Sequence, residues 1–510
     1  MRVPLRLRSL VSALLVAALA ALALAAGAWA QDQRIATRIT FLHFNDAYQI
    51  SPRRGLGGMG PMATLIQRER ARAPQSVLTF GGDLISPSLL SGITKGAHMI
   101  EFANALRLQM AVLGNHEFDF GPEVLAQRIG ESKFPWLGAN VLDTDGKVFP
   151  GVSATKILQV GPVKVGFFGL LTPEARLYIR GGAPVNFAPF LPAARAAVDQ
   201  LKREGAQLIV AITHMNLYED QQLVREVRGI HLVLGGHEHI PITVYERGVL
   251  ILKAGSDAEF LGVADLDVVI EKGETTAIPS WRLVANYGVV ADPAVQTLVR
   301  KYEQQLEREM GQPIGTIETP VDSHAANVRL REAAIGNLVA DAIRAATGAD
   351  VAIVNGGGLR GNKEYPAGST ISARDVFAEM PFGNVVLVLE AKGSDIKAML
   401  EHGVSRAGQE FGGFPQVSGI KVVFDPAKPV GQRIESVLVG EWPLDPNRTY
   451  RLAVNDFLAG GGDGYAMLQN LKRIIDTNAG PLMAGVVIDF IKQKGTIAAR
   501  VEGRITAKQP

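Results

Sequence analysis

Residues 110–119 read MAVLGNHEFD: a four-residue apolar run ends at Gly114, and Asn115, His116, Glu117 and Asp119 follow at once. A short apolar run closed by glycine reads as a buried strand. An amide, an imidazole and two carboxylates just past its carboxyl end lie where open α/β sheets build their sites. The event recurs four more times. Asn45-Asp46 follows the run 39–44, Gly81-Gly82-Asp83 follows 77–80, His214 follows 208–213, and Gly236-His237-Glu238-His239 follows 232–234. Taken singly, each has an ordinary explanation, since a lone Asp at a strand end caps a turn or helix and a lone His is most often a hydrogen-bonded structural residue. Five in order within one block point to hard or borderline metal ligands gathered at one sheet edge. Two divalent ions about 3.5–4 Å apart need a bridging carboxylate with N/O donors around it, and such a pair polarises a phosphoryl oxygen and activates water. Asp83 is the natural bridge.

Composition limits the alternatives. A chain of 510 residues, 47% hydrophobic and 20% charged, is neither disordered nor fibrous and is too long for one small module. The formal charge is +2, and removing the first thirty residues, which hold Arg2, Arg6 and Arg8 but no acid, takes it to −1. That balance excludes a nucleic-acid polymer or an anionic membrane as an electrostatic partner. There is no cysteine, so disulfides, thiolate ligands and cysteine nucleophiles are excluded, and any metal must sit on His, Asp, Asn or Gln. Residues 1–30 read as an export signal: three arginines, an apolar run over 10–26, and Ala28-Trp29-Ala30 as a small-x-small cleavage site. No second apolar run of spanning length follows. The mature chain is therefore expected in the periplasm or outside the cell, without a membrane span.

The expected organisation is a first α/β block over 31–290, a linking helix over 291–312, and a second α/β block over 313–510. The stretch 294–310, AVQTLVRKYEQQLEREM, spaces Val295, Leu298, Tyr302 and Leu306 as one helical face. In the second block a helix is expected over 335–347, a strand over 351–354, and then the turn Asn355-Gly356-Gly357-Gly358. Glycines admit an anion to the backbone, and the nearby Arg329 and Arg360 offer forks suited to phosphate. Two further loops set Phe382 beside Gly383-Asn384, and Phe457 ahead of Gly460-Gly461-Gly462-Asp463. Two rings on loops can sandwich a planar base, because every nucleobase has a π-face; a Phe in the core is the plainer alternative.

The ordered motifs NDxY, GGD, GNHEFD, THM and GGHEH resemble the calcineurin-like metallophosphoesterase superfamily. With the second block, the mature chain resembles the 5′-nucleotidase family of periplasmic UDP-sugar hydrolases and ecto-5′-nucleotidases. The resemblance implies an N-terminal metallophosphoesterase β-sandwich flanked by helices and a smaller C-terminal α/β nucleotide-binding domain. It implies two divalent ions, Zn, Mn or Co, one held by Asp46, Asp83 and His239 and the other by Asp83, Asn115, His214 and His237. It makes His116 and Asp119 the catalytic pair. In the second block it gives Phe382 and Phe457 to the base, Asp463 to the ribose, Asn355 to base or sugar, Arg329 and Arg360 to phosphate, and Asn384 to the substrate more loosely. The expected activity is 5′-nucleotide hydrolysis. The alternatives are UDP-sugar or 2′,3′-cyclic nucleotide hydrolysis, the sulfate thiohydrolysis of a related periplasmic enzyme, and nucleotide binding without catalysis. One departure stands out: where most of the family has Asp-x-His, this chain has Asp46-Ala47-Tyr48, which removes an imidazole from the first metal.

Overall fold

The apolar runs form strands because both of their faces are covered, which is why they lack polar alternation. The structure is a computed structural model that describes residues 34–177, 185–477 and 479–508; the export signal read at 1–30 lies outside the described residues. Along the chain come β1 (Ile35–Phe44), α1 (Met59–Arg72), β2 (Ser76–Phe80), α2 (Ala97–Ala105), β3 (Met110–Val112), β4 (Trp136–Leu137), β5 (Val152–Ser153), β6 (Thr155–Val160) and β7 (Val163–Leu171). They are followed by β8 (Leu208–His214), α3 (Leu217–Glu226), β9 (Leu232–Gly235), β10 (Pro241–Glu246), β11 (Val249–Ala254), β12 (Phe260–Glu271) and β13 (Glu274–Ala285). One sheet has the order β13-β12-β1-β2-β3-β4-β5 and the other β10-β11-β9-β8-β7-β6.

Alternate residues of each strand serve different cores. Ile39 and Phe41 of β1 enter the core between the sheets with Val210, Ile212, Leu232 and Leu234, whereas Leu42 and Phe44 lie under helices on the outer face. Phe41 and Phe167 meet edge to face across the sandwich at 6.1 Å. Each such burial contributes about 1.5–3 kcal/mol, and a one-residue slip would exchange the two sets. The register is therefore fixed on both sides. β1, β2 and β3 run parallel, as do β8 and β9, so their carboxyl ends open toward one edge. Two bonds tie the sheets together there: His43 Nε2 with the Gly235 carbonyl at 3.0 Å, and His214 Nδ1 with the Gly81 carbonyl at 2.7 Å.

Helix α4 (Pro293–Met310) begins where the Asp292 side chain accepts from the Val295 N–H, with Pro293 in the first turn, where its missing N–H leaves no bond unmade. Val295, Val299 and Tyr302 are buried in the first half's core, and Leu298 and Leu306 lie against it. The Tyr302 ring meets His98 of α2 edge to face at 5.6 Å. His98 bonds Thr94 Oγ1 through Nδ1, and its Nε2 is buried without a partner among the described residues. Burial lowers His98 to about 3, and burial lowers His43 to about 4. Both lie below the unfolded value near 6.5, so stability is full above pH 6.5 and is lost as pH falls toward the folded values, because the unfolded chain takes up protons first. His98→Phe keeps the ring contact and removes one proton site. It should reduce the loss of stability between pH 7 and 4.5 by about 2–3 kcal/mol, measured by urea unfolding at both pH values. An unchanged loss would mean that His98 is not held neutral in the folded protein.

The second half carries α5 (Ala334–Thr347), β14 (Val351–Asn355), β15 (Val386–Lys392), β16 (Pro415–Ser418), β17 (Thr449–Asn455), β18 (Lys472–Ile475) and α6 (Met483–Lys494). Its five-stranded sheet has the order β16-β14-β17-β15-β18, with α5 and α6 over one face and the helix Gly393–Gly403 over the other. The fold is thus the expected α/β sandwich joined to a second α/β unit. Leu89 of the first half rests on the second half's core, and Glu307 pairs with Arg374. Between the halves lies a cavity of about 700 Å³ with His116, Asp119 and Phe120 on one wall and Leu482, Val486 and Phe490 on the other. Among the described residues no helix is long and apolar enough to cross a membrane.

Candidate active site

All five strand ends meet. Asp46, Asp83 and His214 are fully buried and place one ligand atom each within 4.8 Å of the others. His214 Nε2 lies 3.2 Å from Asp83 Oδ2 and 3.0 Å from Asn115 Oδ1, and His237 Nδ1 lies 3.3 Å from His214 Nε2. His239 Nε2 is 3.4 Å from Asp46 Oδ1. The Asp46 and Asp83 backbones have φ of 50° and 60°, and His237 has 81°, a left-handed conformation that surrounding bonds must hold. The His237 N–H donates to Asp46 Oδ2 at 2.9 Å and the His116 N–H to Asp83 Oδ1 at 2.9 Å.

Close approach explains two glycines. A Cβ on Gly114 would fall on the Asp83 carboxylate, and one on Gly236 would fall on the Gly81 carbonyl. Glu117, given no role in the sequence reading, accepts the N–H groups of Asp83 (2.9 Å), Leu84 (2.6 Å), Ile85 (3.2 Å) and Gly114. It binds the GGD and GNHEFD loops into one unit. Asn45 does the same for Asp46, donating to its Oδ2 at 2.7 Å and to the Gly255 carbonyl at 2.6 Å. The signal available in the sequence was their place inside ligand motifs without a ligand role.

Electrostatics show what the pocket requires. Burial opposes charge on His214, yet Asp83 and Asp46 outweigh it and raise its pKa to about 9. Burial likewise opposes ionisation of Asp46, and the His214 and His239 charges overcome it and lower its pKa. Burial, helped by Asp83, pushes Glu117 up to about 7. Burial and then the His214 charge hold His237 well below its usual value. Among the described residues, its Nε2 and the Asn115 Nδ2 are buried without partners. Carboxylate, amide and imidazole donors form an N/O set suited to Zn, Mn or Co. A buried carboxylate pair balanced by a protonated imidazole, beside a neutral imidazole with a spare nitrogen, fits a cation centre that releases protons on loading.

Tyr48 points into this cluster rather than away from it. Its hydroxyl lies 3.1 Å from Asp46 Oδ1, 3.3 Å from Asp83 Oδ2 and 3.0 Å from His239 Nε2. Burial, then Asp46 and Asp83, raise its pKa well above 10, so in this structure the phenol is a neutral donor. Asp257 anchors it by accepting the Tyr48 N–H at 2.9 Å. Beside the cluster, His116 Nδ1 bonds Asp119 Oδ2 at 2.8 Å, and Ser86 Oγ donates to the same oxygen at 2.7 Å. This pair faces the cavity between the halves.

The second-half candidates form their own group. Asn355, buried, donates to Asp463 Oδ2 at 2.8 Å and accepts from Asn455 at 3.0 Å. Asn384 donates to Asp456 at 2.7 Å, which staples the Phe382 loop to the Phe457 loop. Phe382 is 56% exposed and Phe457 46%, so neither is a core ring. The Arg360 guanidinium lies 5.1 Å over Phe382, and Arg329 Nε is buried without a partner among the described residues. None of these seven residues lines the cavity beside His116 and Asp119.

Residues 39–241 match the family model of the calcineurin-like phosphoesterases, the class to which the sandwich and its cluster of carboxylates and imidazoles at the strand ends correspond. Members of that class use two divalent metals and hydrolyse phosphoesters, and this chain is a metal-dependent enzyme of that kind. Residues 313–470 match the 5′-nucleotidase C-terminal domain. The chain is 31% identical to a snake venom 5′-nucleotidase from Gloydius brevicauda, over 95% of this chain and 90% of that one, and 29% identical to a human 5′-nucleotidase over 94% and 91%. It belongs to the 5′-nucleotidase family. Among solved structures, a 5′-nucleotidase precursor from Thermus thermophilus is 30% identical with a TM-score of 0.56, covering 93% of this chain and all of that one. An NAD nucleotidase from Haemophilus influenzae shares the fold with a TM-score of 0.80 at 20% identity and the same coverage.

Proposed function

We propose that this protein is an exported 5′-nucleotidase that binds its nucleotide on the second half and hydrolyses the phosphate ester at the centre on the first. The observation that carries this reading is the second-half group itself: two exposed rings on stapled loops beside the unpartnered Arg329 Nε and the Asp463 carboxylate. Asp46, Asp83 and His239 would hold one divalent ion, and Asp83, Asn115, His214 and His237 the other. When bound, such a pair supplies Lewis-acid polarisation of the phosphoryl oxygens and a water of lowered pKa. The protein's own residues do the rest. Asp119 accepts from His116 Nδ1, which fixes the ring and leaves Nε2 as the atom that carries positive charge or a proton to the leaving oxygen. Arg329 and Arg360 bind phosphate oxygens, Phe382 and Phe457 stack on the base, and Asp463 with Asn355 holds the sugar.

The proposed division is 31–290 for catalysis and 313–510 for recognition, with the chain between them as connector. Because α4 packs on the first half, articulation falls beyond Met310, at Gly311-Gln312. The Phe382 group does not line the cavity beside His116, and such a movement would carry the phosphate to the centre. A TM-score of 0.56 against a fully covered 30% identical chain agrees with halves whose arrangement varies. Export rests on the signal at 1–30, and the N-terminus of the exported protein tests it: Gln31 is expected.

Phosphate release from AMP, ADP, ATP, UDP-glucose and 2′,3′-cAMP by metal-loaded protein tests the substrate, with AMP expected to react fastest. Preference for UDP-glucose or the cyclic nucleotide would replace the 5′-nucleotidase reading with one of those alternatives. Phe382→Ala and Phe457→Ala should each raise KM for AMP by the equivalent of about 1–3 kcal/mol and leave hydrolysis of a small aryl phosphate nearly unchanged. Equal losses on both substrates would make the rings structural.

A further inference from the structure

Lys253 is fully buried at the inner end of β11 and takes no part in the metal set or the nucleotide site. Its Nζ donates to the Met215 carbonyl at 2.6 Å and to the Gly236 carbonyl at 3.0 Å, pairs with Asp220 at 2.8 Å, and pairs with Glu238. Burial opposes its charge, and Asp220 and Glu238 outweigh burial and keep it an ammonium. The partners are adjacent to the ligands. Met215 follows His214, Gly236 precedes His237, Glu238 lies between His237 and His239, and Asp220 is on α3, the helix that leaves the His214 loop. Glu238 also accepts the Leu217 N–H, so the same carboxylate reaches back to the His214 loop.

A buried ion pair is a weak stabilising device, because desolvation offsets most of the attraction. In the strand VLILKA every other side chain is apolar, and an apolar residue at 253 would serve the core as well. Only a multivalent donor can hold two carbonyls and a carboxylate from two different loops at one point. We propose that Lys253 is a positioning residue for the metal centre: through Glu238 and the Met215 and Gly236 carbonyls it locks the His214 loop and the His237–His239 loop in one mutual register. This accounts for the left-handed backbone at His237, whose neighbours on both sides are tied to the same ammonium. The inference rests on His214, His237 and His239 being ligands. Groups that orient ligands in this way are typically worth about 10–100-fold in metal affinity.

The test uses full-length protein stripped of metal and titrated with Zn²⁺ against a competing chelator, alongside the Co²⁺ absorption spectrum and the melting temperature of the metal-free form. Glu238→Gln retains an acceptor for Leu217 but loses its ion pair with Lys253, and the Lys253→Met/Asp220→Asn double variant removes the ammonium together with the fully buried Asp220 charge, leaving only the partly exposed Glu238 carboxylate. The expected result is Zn²⁺ binding weaker by about tenfold for Glu238→Gln and by about 10–100-fold for the double variant, an altered Co²⁺ spectrum, and metal-free melting within a few degrees of wild type. Wild-type Zn²⁺ affinity in Glu238→Gln overturns the proposal, as does a lowered metal-free melting temperature with affinity unchanged. If the double variant does not fold, Glu238→Gln decides alone. His237→Ala is the ligand control: unchanged affinity there would refute the ligand assignment, whereas weakened affinity there with wild-type affinity in Glu238→Gln refutes only the role of Lys253.

Discussion

His116→Asn lowers kcat by about 10²–10⁴-fold with KM for AMP little changed, measured by steady-state kinetics on metal-saturated protein. The reason is the difference between ground and transition states. Nucleotide binding is assigned to Phe382, Phe457, Arg329 and Asp463, none of which lines the cavity wall that carries His116. His116 therefore contributes when charge develops on the leaving oxygen, and an interaction made only then appears in kcat. The Asp119 bond at 2.8 Å and the Ser86 bond to the same carboxylate hold the ring's Nδ1 side, so asparagine, which carries no positive charge, cannot replace it. A variant with wild-type kcat would remove His116 from the mechanism. A rise in KM with kcat intact would make it a binding residue.

How much of this was legible beforehand follows from which interactions are local. The strands β1, β2, β3, β8 and β9 were readable because both faces of their runs are buried and the runs are mostly apolar, with Thr40, His43, Thr79 and Thr213 as polar exceptions, and the candidate ligand types were readable because each follows its strand within a few residues. Tyr48 was legible only as a missing imidazole. That its hydroxyl turns into the cluster depends on Asp257 and His239, about two hundred residues away, and no local pattern encodes that contact. Glu117 and Lys253 show the same limit more sharply. A glutamate holding four backbone N–H groups and a lysine holding two loops look, in sequence, like ordinary charged residues, and a lysine within VLILKA resembles a strand end at the surface. Helix α4 was found by its period, but its attachment to the first half's core depends on α1 and α2. The distance between the Phe382 group and His116 is set by how the halves meet, which no motif carries.

Asp83→Asn is expected to abolish most activity while leaving metal-free stability near that of the wild type. Asp83 is the carboxylate common to both proposed ligand sets, and its loss should remove several kcal/mol of charge stabilisation, or about 10³-fold or more in kcat/KM. In the metal-free protein the same carboxylate is a burden. It is buried with Asp46 and Glu117, it helps burial push Glu117 up to about 7, and with Asp46 it helps hold His214 protonated to about 9. Asparagine keeps an oxygen for the His116 N–H and removes one buried negative charge. Relief of that repulsion opposes the loss of the His214–Asp83 pair at 3.2 Å, so metal-free melting at pH 7 should stay near the wild-type value. The raised His214 pKa contributes stability that is full below pH 6.5 and is lost as pH rises through about 9, and that alkaline loss should shrink in the variant. Added metal tells the two states apart. An ion at a thousand times its dissociation constant stabilises the wild type by about 4 kcal/mol, roughly 10 °C in melting temperature for a domain of this size, and the variant should lose most of that gain. A variant that melts lower without metal yet keeps the full metal-induced rise would make Asp83 a structural carboxylate and move the bridge elsewhere; near-wild-type metal-free melting with the rise abolished is the signature of a carboxylate whose main partner is the cation, with the His214 imidazolium standing in until cations arrive.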